Sequence, residues 1–175
     1  ALRAVYWTRD QLEKEITRSE QGARRWDFIG ELPTHEQKGD FLFVHGSPRE
    51  PTNEYIFPED VYNHTKLVSL FERVDQYCFQ GHTHIPGIFT EDRDFISPEE
   101  CDNQYRLGQS KIMVNVGSVG QPRDENPCSC YVILDDVKNL LTYRRVKYPW
   151  QHTADKIFKI PELDDMLGSR LLTGR

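Results

Sequence analysis

Three histidines follow apolar runs of the sequence at the points where those runs end. His45 comes after "FLFV" in the stretch "FLFVHGSP", and His82 and His84, separated by one threonine, come after "CFQG". Neutral imidazole binds transition-metal ions and can also transfer a proton. A lone histidine such as His45 is more often structural than a ligand, but the two stretches together predict metal ligation.

The spacing of His82 and His84 leaves two geometries open. In an extended backbone alternate side chains share a face, so both imidazoles would point to one site while Thr83 points away. If the chain turns here, the two imidazoles instead reach two adjacent ions. Gly46 and Gly81 lie beside the histidines and indicate backbone that bends sharply or comes close to another group.

A third stretch, "IMVNVGSVGQPRD" at residues 112–124, has the same layout of an apolar run followed by small and polar residues. In α/β sheets covered by other layers, ligand sites gather where strands end, because strands hold side chains rigidly and loops give access. Three such strand ends predict one shared site. A rival interpretation makes Ser47 a nucleophile beside His45, but "HGSP" is not the Gly-x-Ser-x-Gly elbow.

Caps and periodicity predict the helices around this site. Thr8, with Gln11 three residues later, resembles a capping box and predicts a helix start. Ser19 predicts the cap of a second helix, which Pro33 ends. A third helix is predicted over 58–73, where the apolar residues of one side are Val61, Val68 and Phe71, and a short amphipathic helix is predicted over 161–175.

The predicted strands lie mainly in the second half of the chain. Two flank a turn at 38–40, and the others are "QYCFQ", "GIFT", "QYRL", "KIMVNVG", "CYVILD" and "LLTYRRVKY". The run at 41–44 is apolar on both faces, which is typical of a strand inside a covered sheet. Residues 91–104 are predicted as a polar connection. A mixed first half and a strand-rich second half predict a layered α/β (α+β) fold.

Composition limits the class of protein. The 175 residues fit one domain, and the formal net charge is -6 without a basic run, so nucleic acid is not predicted as a partner. No apolar window is long enough to span a membrane, which favours a soluble, cytoplasmic protein without a membrane partner. The four cysteines form no disulfide framework and are interpreted as free thiols, with a metal-binding role left open.

The motifs "VHGSP", "GHTH" and "VNVGSVGQPRD", in this order, resemble the C-terminal half of the calcineurin-like metallophosphoesterases. These are phosphatases and phosphodiesterases with a binuclear metal centre. The likeness extends from "VYWTRDQL" near the start to "RLLTGR" at the end. It implies that the chain is part of a four-layer αββα sandwich, in which two sheets lie between helices.

The resemblance also implies roles for matching residues. His45 and His82 would bind one metal ion and His84 the other. The implied cofactor is a pair of divalent ions, Mn²⁺ first, with Fe, Zn or Ni as alternatives. The backbone of Gly117 and Ser118 and the guanidinium of Arg123 would meet a phosphate oxygen of the substrate, although Arg123 fits a structural salt bridge equally well.

Three further motifs of the family are absent from this chain: Asp-x-His, Gly-Asp-x-x-Asp and Gly-Asn-His-Asp/Glu. They supply the bridging carboxylate, an asparagine ligand and the histidine that assists the leaving group. We therefore expect residues 1–175 to be the C-terminal portion of a single metallophosphoesterase domain, with no catalytic residue of its own. Its partner would be the missing N-terminal half, and the fragment alone would be inactive and loosely packed.

The function predicted for the intact protein is hydrolysis of phosphomonoesters or phosphodiesters by a metal-activated water at a binuclear centre. The alternative is a catalytically inactive scaffold or protein-binding module of the same fold. Retention of His45, His82 and His84 favours the enzyme. The polar segment 91–103 either shapes substrate access or is a solvated loop.

Overall fold

The computed structural model describes residues 2–175 and divides them into two compact units. A helical unit contains residues 2–33 and 149–172, and a sheet unit contains residues 34–148 and 173–175. None of the helices in the described residues combines the length and the apolar character that crossing a membrane requires. In chain order the elements are α1 (Leu2–Arg18), α2 (Glu20–Glu31), β1 (His35–Lys38), β2 (Phe41–Val44), a 3-10 helix (Pro58–Tyr62), α3 (His64–Phe71), β3 (Tyr77–Gln80), β4 (Gly87–Thr90), β5 (Phe95–Ile96), β6 (Gln104–Arg106), β7 (Ile112–Asn115), β8 (Ser129–Asp135), β9 (Leu140–Val146), α4 (Trp150–Phe158) and α5 (Asp165–Thr173).

The helical unit confirms one predicted cap and corrects another. Ser19 is the N-cap of α2, and its side chain accepts a hydrogen bond from the Gly22 amide. The predicted helix start at Thr8 is wrong, because α1 begins at Leu2 and passes through Thr8. The preceding residues "LRAVYW" sustain a helix, so the capping-box pattern at Thr8 lies inside it. Helix α4 was not predicted, whereas the predicted C-terminal helix is present as α5.

The sheet unit contains a six-stranded sheet in the order β1-β2-β3-β7-β4-β5 and a three-stranded sheet in the order β6-β9-β8. Strands β2, β3 and β7 are parallel, so their carboxyl ends lie at one edge of the larger sheet, whereas β4 runs antiparallel to β7. The predicted strands are confirmed. The segment predicted as a polar connection also holds the two-residue strand β5, which pairs with β4.

Two apolar cores lie on opposite faces of the larger sheet, because alternate side chains of a strand point to opposite faces. The core toward the smaller sheet includes Phe79, Val114 and Tyr143. The core toward α3 includes Leu70 and Met113. The sheet unit is therefore layered, and the α/β fold class is confirmed. Strand β2 is less covered than its sequence predicted, since Phe43 remains 37% exposed.

The single helix predicted over 58–73 is wrong. The chain instead forms the 3-10 helix and then α3, and Asn63 separates them. The Asn63 side chain accepts a hydrogen bond from the Lys66 amide at 3.1 Å, which caps α3. The break turns Val68 toward solvent, and the buried face of α3 is formed by Leu67, Leu70 and Phe71.

Candidate metal centre

The candidate site lies at the edge of the larger sheet where the parallel strands end. His45 directly follows β2, Gly81 follows β3, and Asn115 is the last residue of β7. Because β7 lies between β3 and β4, the loop 81–86 that joins β3 to β4 must cross the end of β7. This topology brings residues that are distant in the sequence to one place.

The structure brings two of the predicted ligands into direct contact. Nε2 of His45 lies 2.9 Å from Nδ1 of His82, and their ring centroids are 4.6 Å apart. His84 lines the same depression, which has a volume of about 500 Å³ and also includes Gly117 and Ser118. The two strand ends that carry histidines therefore meet as the sequence predicted.

The loop turns rather than continuing the strand, so the extended geometry considered for "GHTH" is wrong. His82 and His84 both have left-handed backbone, with φ of 62° and 63°. The Thr83 amide donates to the Gly81 carbonyl at 2.7 Å, which closes a three-residue turn around His82. Such backbone costs on the order of 1–3 kcal/mol for a non-glycine residue and persists only where surrounding contacts hold it.

Backbone carbonyls fix the proton positions on two of the imidazoles. Nε2 of His82 lies 3.2 Å from the Asn53 carbonyl, and Nδ1 of His84 lies 2.6 Å from the Gln121 carbonyl. A carbonyl oxygen only accepts, so both nitrogens carry hydrogen. The lone pairs then lie on Nδ1 of His82 and Nε2 of His84. Metal-binding histidines characteristically donate their second ring N–H in this way.

The surroundings favour the neutral imidazoles that metal binding requires. Burial is the main cause that lowers the pKa of His82, and the neighbouring His45 lowers it further. Burial is also the main cause that lowers the pKa of His84, and the positive charge of Arg123 adds to this effect. Both groups are therefore neutral over a wider pH range than a free histidine.

Two of the predicted phosphate-binding residues, Gly117 and Ser118, line one wall of the depression, and the third, Arg123, contacts the backbone of His84. Gly117 has φ of 78°, and a Cβ there would lie 2.8 Å from Cβ of Cys130, so only glycine fits. Its amide donates to Oδ1 of Asn115 at 3.0 Å. The Arg123 amide donates to the His84 carbonyl at 3.2 Å. In the described residues the Arg123 guanidinium donates to Oε1 of Gln121 at 3.0 Å, an amide rather than the carboxylate of a salt bridge.

Sequence reasoning missed two residues of the site, Tyr55 and Asn115. The Tyr55 ring stacks on His82 with centroids 3.8 Å apart and planes inclined by 21°. The side chain of Asn115 is buried and contacts the "GHTH" loop. Tyr55 lies in an irregular segment without periodicity, and contact between Asn115 and the loop depends on the strand order. Neither contact has a signal in the sequence.

The donor types fit a metal ion, but the set is incomplete. Within residues 2–175 no group of three or more histidine, cysteine, aspartate and glutamate side chains is arranged to hold one. Two nitrogens bound to one tetrahedral ion at about 2.0–2.1 Å lie roughly 3.3 Å apart. The 2.9 Å between His45 and His82 is a few tenths of an ångström shorter. If the two rings moved apart by a few tenths of an ångström, they could share an ion.

Comparison with known proteins places the chain in a family. The model of the calcineurin-like phosphoesterase superfamily domain matches residues 10–139, and the chain belongs to this superfamily. It is 31% identical over 180 residues to an uncharacterized protein of Methanocaldococcus jannaschii, in an alignment that covers 98% of this chain and 65% of that protein. The chain thus spans about two thirds of its relative's length.

Solved structures share the fold. A metallophosphoesterase from Sphaerobacter thermophilus superposes with a TM-score of 0.72 at 28% sequence identity, over 90% of this chain and 62% of that one. A hypothetical protein from Pyrococcus horikoshii superposes with a TM-score of 0.61 at 17% identity, over 85% of this chain and 54% of that one, and shows the fold alone. The resemblance recognised in the sequence motifs is confirmed.

Proposed function

We propose that this chain is the metal-binding portion of a phosphoesterase. The observation that carries the proposal is the pair of carbonyl contacts that leave ring lone pairs on His82 and His84 at one depression. Metal-binding histidines almost always donate their second ring N–H to an acceptor such as a backbone carbonyl, as both of these imidazoles do. Membership of the calcineurin-like phosphoesterase superfamily supports the same class of reaction.

The proposed centre holds two divalent ions, Mn²⁺ in the first instance, with His45 and His82 on one ion and His84 on the other. Three imidazoles do not complete two coordination spheres, so we propose that residues outside this chain supply the remaining ligands. The greater length of the relatives supports this proposal. So does the apolar lining of the depression by Phe43, Phe79, Val116 and Val132, which a further segment could cover.

Divalent ions at such a site neutralise phosphate oxygens, activate water and stabilise the leaving oxygen. The chain itself contributes orientation. The Asn53 carbonyl keeps a proton on Nε2 of His82, and the Gln121 carbonyl keeps one on Nδ1 of His84. The stacked Tyr55 limits rotation of the His82 ring. These contacts orient both rings. Because Nδ1 of His82 carries no hydrogen, it accepts the hydrogen bond from Nε2 of His45 at 2.9 Å, and this proton must leave before the two rings share an ion.

Arg123 is the residue that we propose to meet a phosphate oxygen. Its amide donates to the His84 carbonyl at 3.2 Å, so residue 123 lies beside one of the proposed ligands. Nη2 donates to Oε1 of Gln121 at 3.0 Å, and Nε is buried without a partner among the described residues. The Gly117 amide is engaged by Asn115, so on this wall the backbone of Ser118 is the better placed second contact.

The test measures nitrophenol release from p-nitrophenyl phosphate and bis-p-nitrophenyl phosphate by the intact protein with Mn²⁺. We expect release from at least one ester, and loss of about 10²-fold or more in His84→Gln, because a missing ligand removes transition-state charge stabilisation. His152→Gln, at an exposed position of the helical unit, is the matched control and should retain the wild-type rate. No release above background from wild-type protein would favour the scaffold function.

A further inference from the structure

The loop that carries two of the proposed ligands is hydrogen-bonded to one buried side chain, that of Asn115. Asn115 ends β7, and the loop 81–86 crosses the end of that strand. Nδ2 of Asn115 donates to the Gly81 carbonyl at 2.8 Å and to Oγ1 of Thr83 at 2.7 Å. Both acceptors flank His82, so the two hydrogen bonds bracket the left-handed residue.

The orientation of the Asn115 amide is fixed by its partners. Oδ1 accepts from the Gly117 amide at 3.0 Å, and an N–H can only donate. Nδ2 faces the Gly81 carbonyl, which can only accept. The Asn115 carbonyl in turn accepts from the Tyr143 hydroxyl at 3.0 Å. The Asn115 side chain therefore joins the "GHTH" loop to the backbone of Gly117. The Asn115 backbone is in turn bonded to the smaller sheet through Tyr143.

Thr83 completes this connection. It is 1% exposed and lies between two histidines that both have positive φ. Oγ1 receives hydrogen bonds from Nδ2 of Asn115 and, at 3.4 Å, from the Ile85 amide. The Thr83 amide donates to the same Gly81 carbonyl that Asn115 holds. The hydrogen bonds of Thr83 in the described residues thus go to Gly81, Ile85 and Asn115 rather than to an imidazole, and they fix the backbone between both ligands.

We propose that Asn115 and Thr83 are positioning residues of the metal centre, which keep His82 and His84 in their turned backbone. This inference rests on the proposed function, because it assumes that the imidazoles bind metal. The backbone at His82 is unfavourable by itself, and the hydrogen bonds around it are the contacts that hold it. Without these hydrogen bonds the two imidazoles would not be held in fixed positions. Metal binding would then have to order the loop, which would weaken the binding.

The experiment titrates the intact, metal-free protein with Co²⁺ and records the visible absorption of the bound ion, which reports coordination geometry. Thr83→Val keeps the shape of the side chain and removes the Oγ1 acceptor. We expect it to weaken Co²⁺ binding by about 10–100-fold, the range for residues that orient metal ligands, and to alter the spectrum. Thr83→Ser retains the hydroxyl and should keep the wild-type Co²⁺ affinity and spectrum.

Ile112→Val is the matched control for lost stability. Ile112 is buried at the other end of β7, away from the loop, and removing one methylene from it should leave Co²⁺ affinity and spectrum unchanged. Thr83→Ala provides a second test that places no methyl against the Asn115 amide, and we expect the same loss as in Thr83→Val.

The outcomes separate the two hypotheses. If wild-type protein binds no Co²⁺, the proposed function fails, and the positioning role fails with it. If wild-type protein binds Co²⁺ and either Thr83→Val or Thr83→Ala keeps the wild-type affinity and spectrum, the positioning role is wrong while the proposed function stands. A loss of the same size in Thr83→Ser or in Ile112→Val would also overturn the positioning role, because the effect would then follow stability rather than the hydroxyl.

Discussion

The helical unit and the sheet unit use their apolar residues differently. In the sheet unit strands β3 and β7 are buried along their whole length, between two cores. In the helical unit α1 has no buried residue, and large apolar side chains such as Val5, Phe28 and Leu32 are more than half exposed. Its ion pairs, such as that of Arg9 with Glu13, are exposed to solvent, and such pairs stabilise a fold little.

The difference shows that burial between layers defines the sheet unit, whereas the helices of the other unit bury little apolar surface. Substitutions of the same chemical kind should therefore have unequal effects in the two units. The candidate metal centre belongs entirely to the sheet unit, so changes that loosen this unit should also disturb the site.

The largest expected contrast is between two truncations to alanine. Leu70→Ala removes a fully buried side chain from the core between α3 and the larger sheet, and should lower the free energy of unfolding by about 2–5 kcal/mol. Phe28→Ala removes an exposed ring from α2 and should change it by less than about 0.5 kcal/mol. Hydrogen exchange of the β3 and β7 amides measures the first effect, and exchange of the α2 amides measures the second. Equal effects of the two variants would contradict the contrast.

A smaller contrast concerns glycine in the sheet unit. Gly117→Ala forces a side chain into left-handed backbone and against Cys130, so we expect a loss of about 1–3 kcal/mol in the free energy of unfolding. The denaturant midpoint of the purified variant measures this loss. A midpoint equal to that of wild type would mean that the wall of the site relaxes freely around residue 117.

The corresponding change in the helical unit should have the opposite sign. Gly30 lies in α2 without positive φ, and, apart from its chain neighbours and the adjacent backbone of its own helix, no described atom lies within 4 Å of the position that a Cβ would take there. Gly30→Ala should stabilise the helical unit by about 0.5 kcal/mol, because alanine restricts the unfolded chain. Trp7, Trp26 and Trp150 all lie in this unit, so their fluorescence follows its unfolding. An unchanged or lower midpoint would contradict the expectation.

The smallest expected effect is a dependence of stability on pH in metal-free protein. The pKa of His84 is lowered mainly by burial, so the unfolded chain takes up a proton at higher pH than the folded chain. The contribution of neutral His84 to the free energy of unfolding is fully present above the unfolded pKa of about 6.5. It is lost as the pH falls through the lower pKa of the folded chain. Urea midpoints at pH 7.5 and 5.5, with a chelator present, measure this loss. It should shrink in His84→Gln, and an unaltered dependence would assign it to other groups.

The features that the sequence predicted are those with local causes. The Ser19 cap, the turn at 38–40 and the apolar strands β3 and β7 each depend on neighbouring residues, and all are present. The break at Asn63 also has a local cause, the cap on the Lys66 amide, and β5 pairs with the preceding strand β4, but apolar periodicity shows neither. A two-residue strand is too short to give an alternating pattern.

The candidate site divides in the same way. Residue types and glycine neighbours were enough to select His45, His82 and His84, since imidazoles at strand ends suggest ligands without knowledge of the fold. The choice between an extended and a turned loop was open, because the Asn115 contacts depend on β7 lying between β3 and β4. The stacking of Tyr55 on His82 likewise depends on where an irregular segment runs.

The order in which the strands occur along the chain has a consequence for synthesis. A ribosome completes the three histidines by residue 84, but the asparagine beneath their loop lies 32 residues beyond Thr83. A nascent chain paused between these points has the imidazoles without the strand that supports them. We therefore expect such an intermediate to bind metal only weakly. Tight binding should require that β7 has been translated and has inserted between β3 and β4.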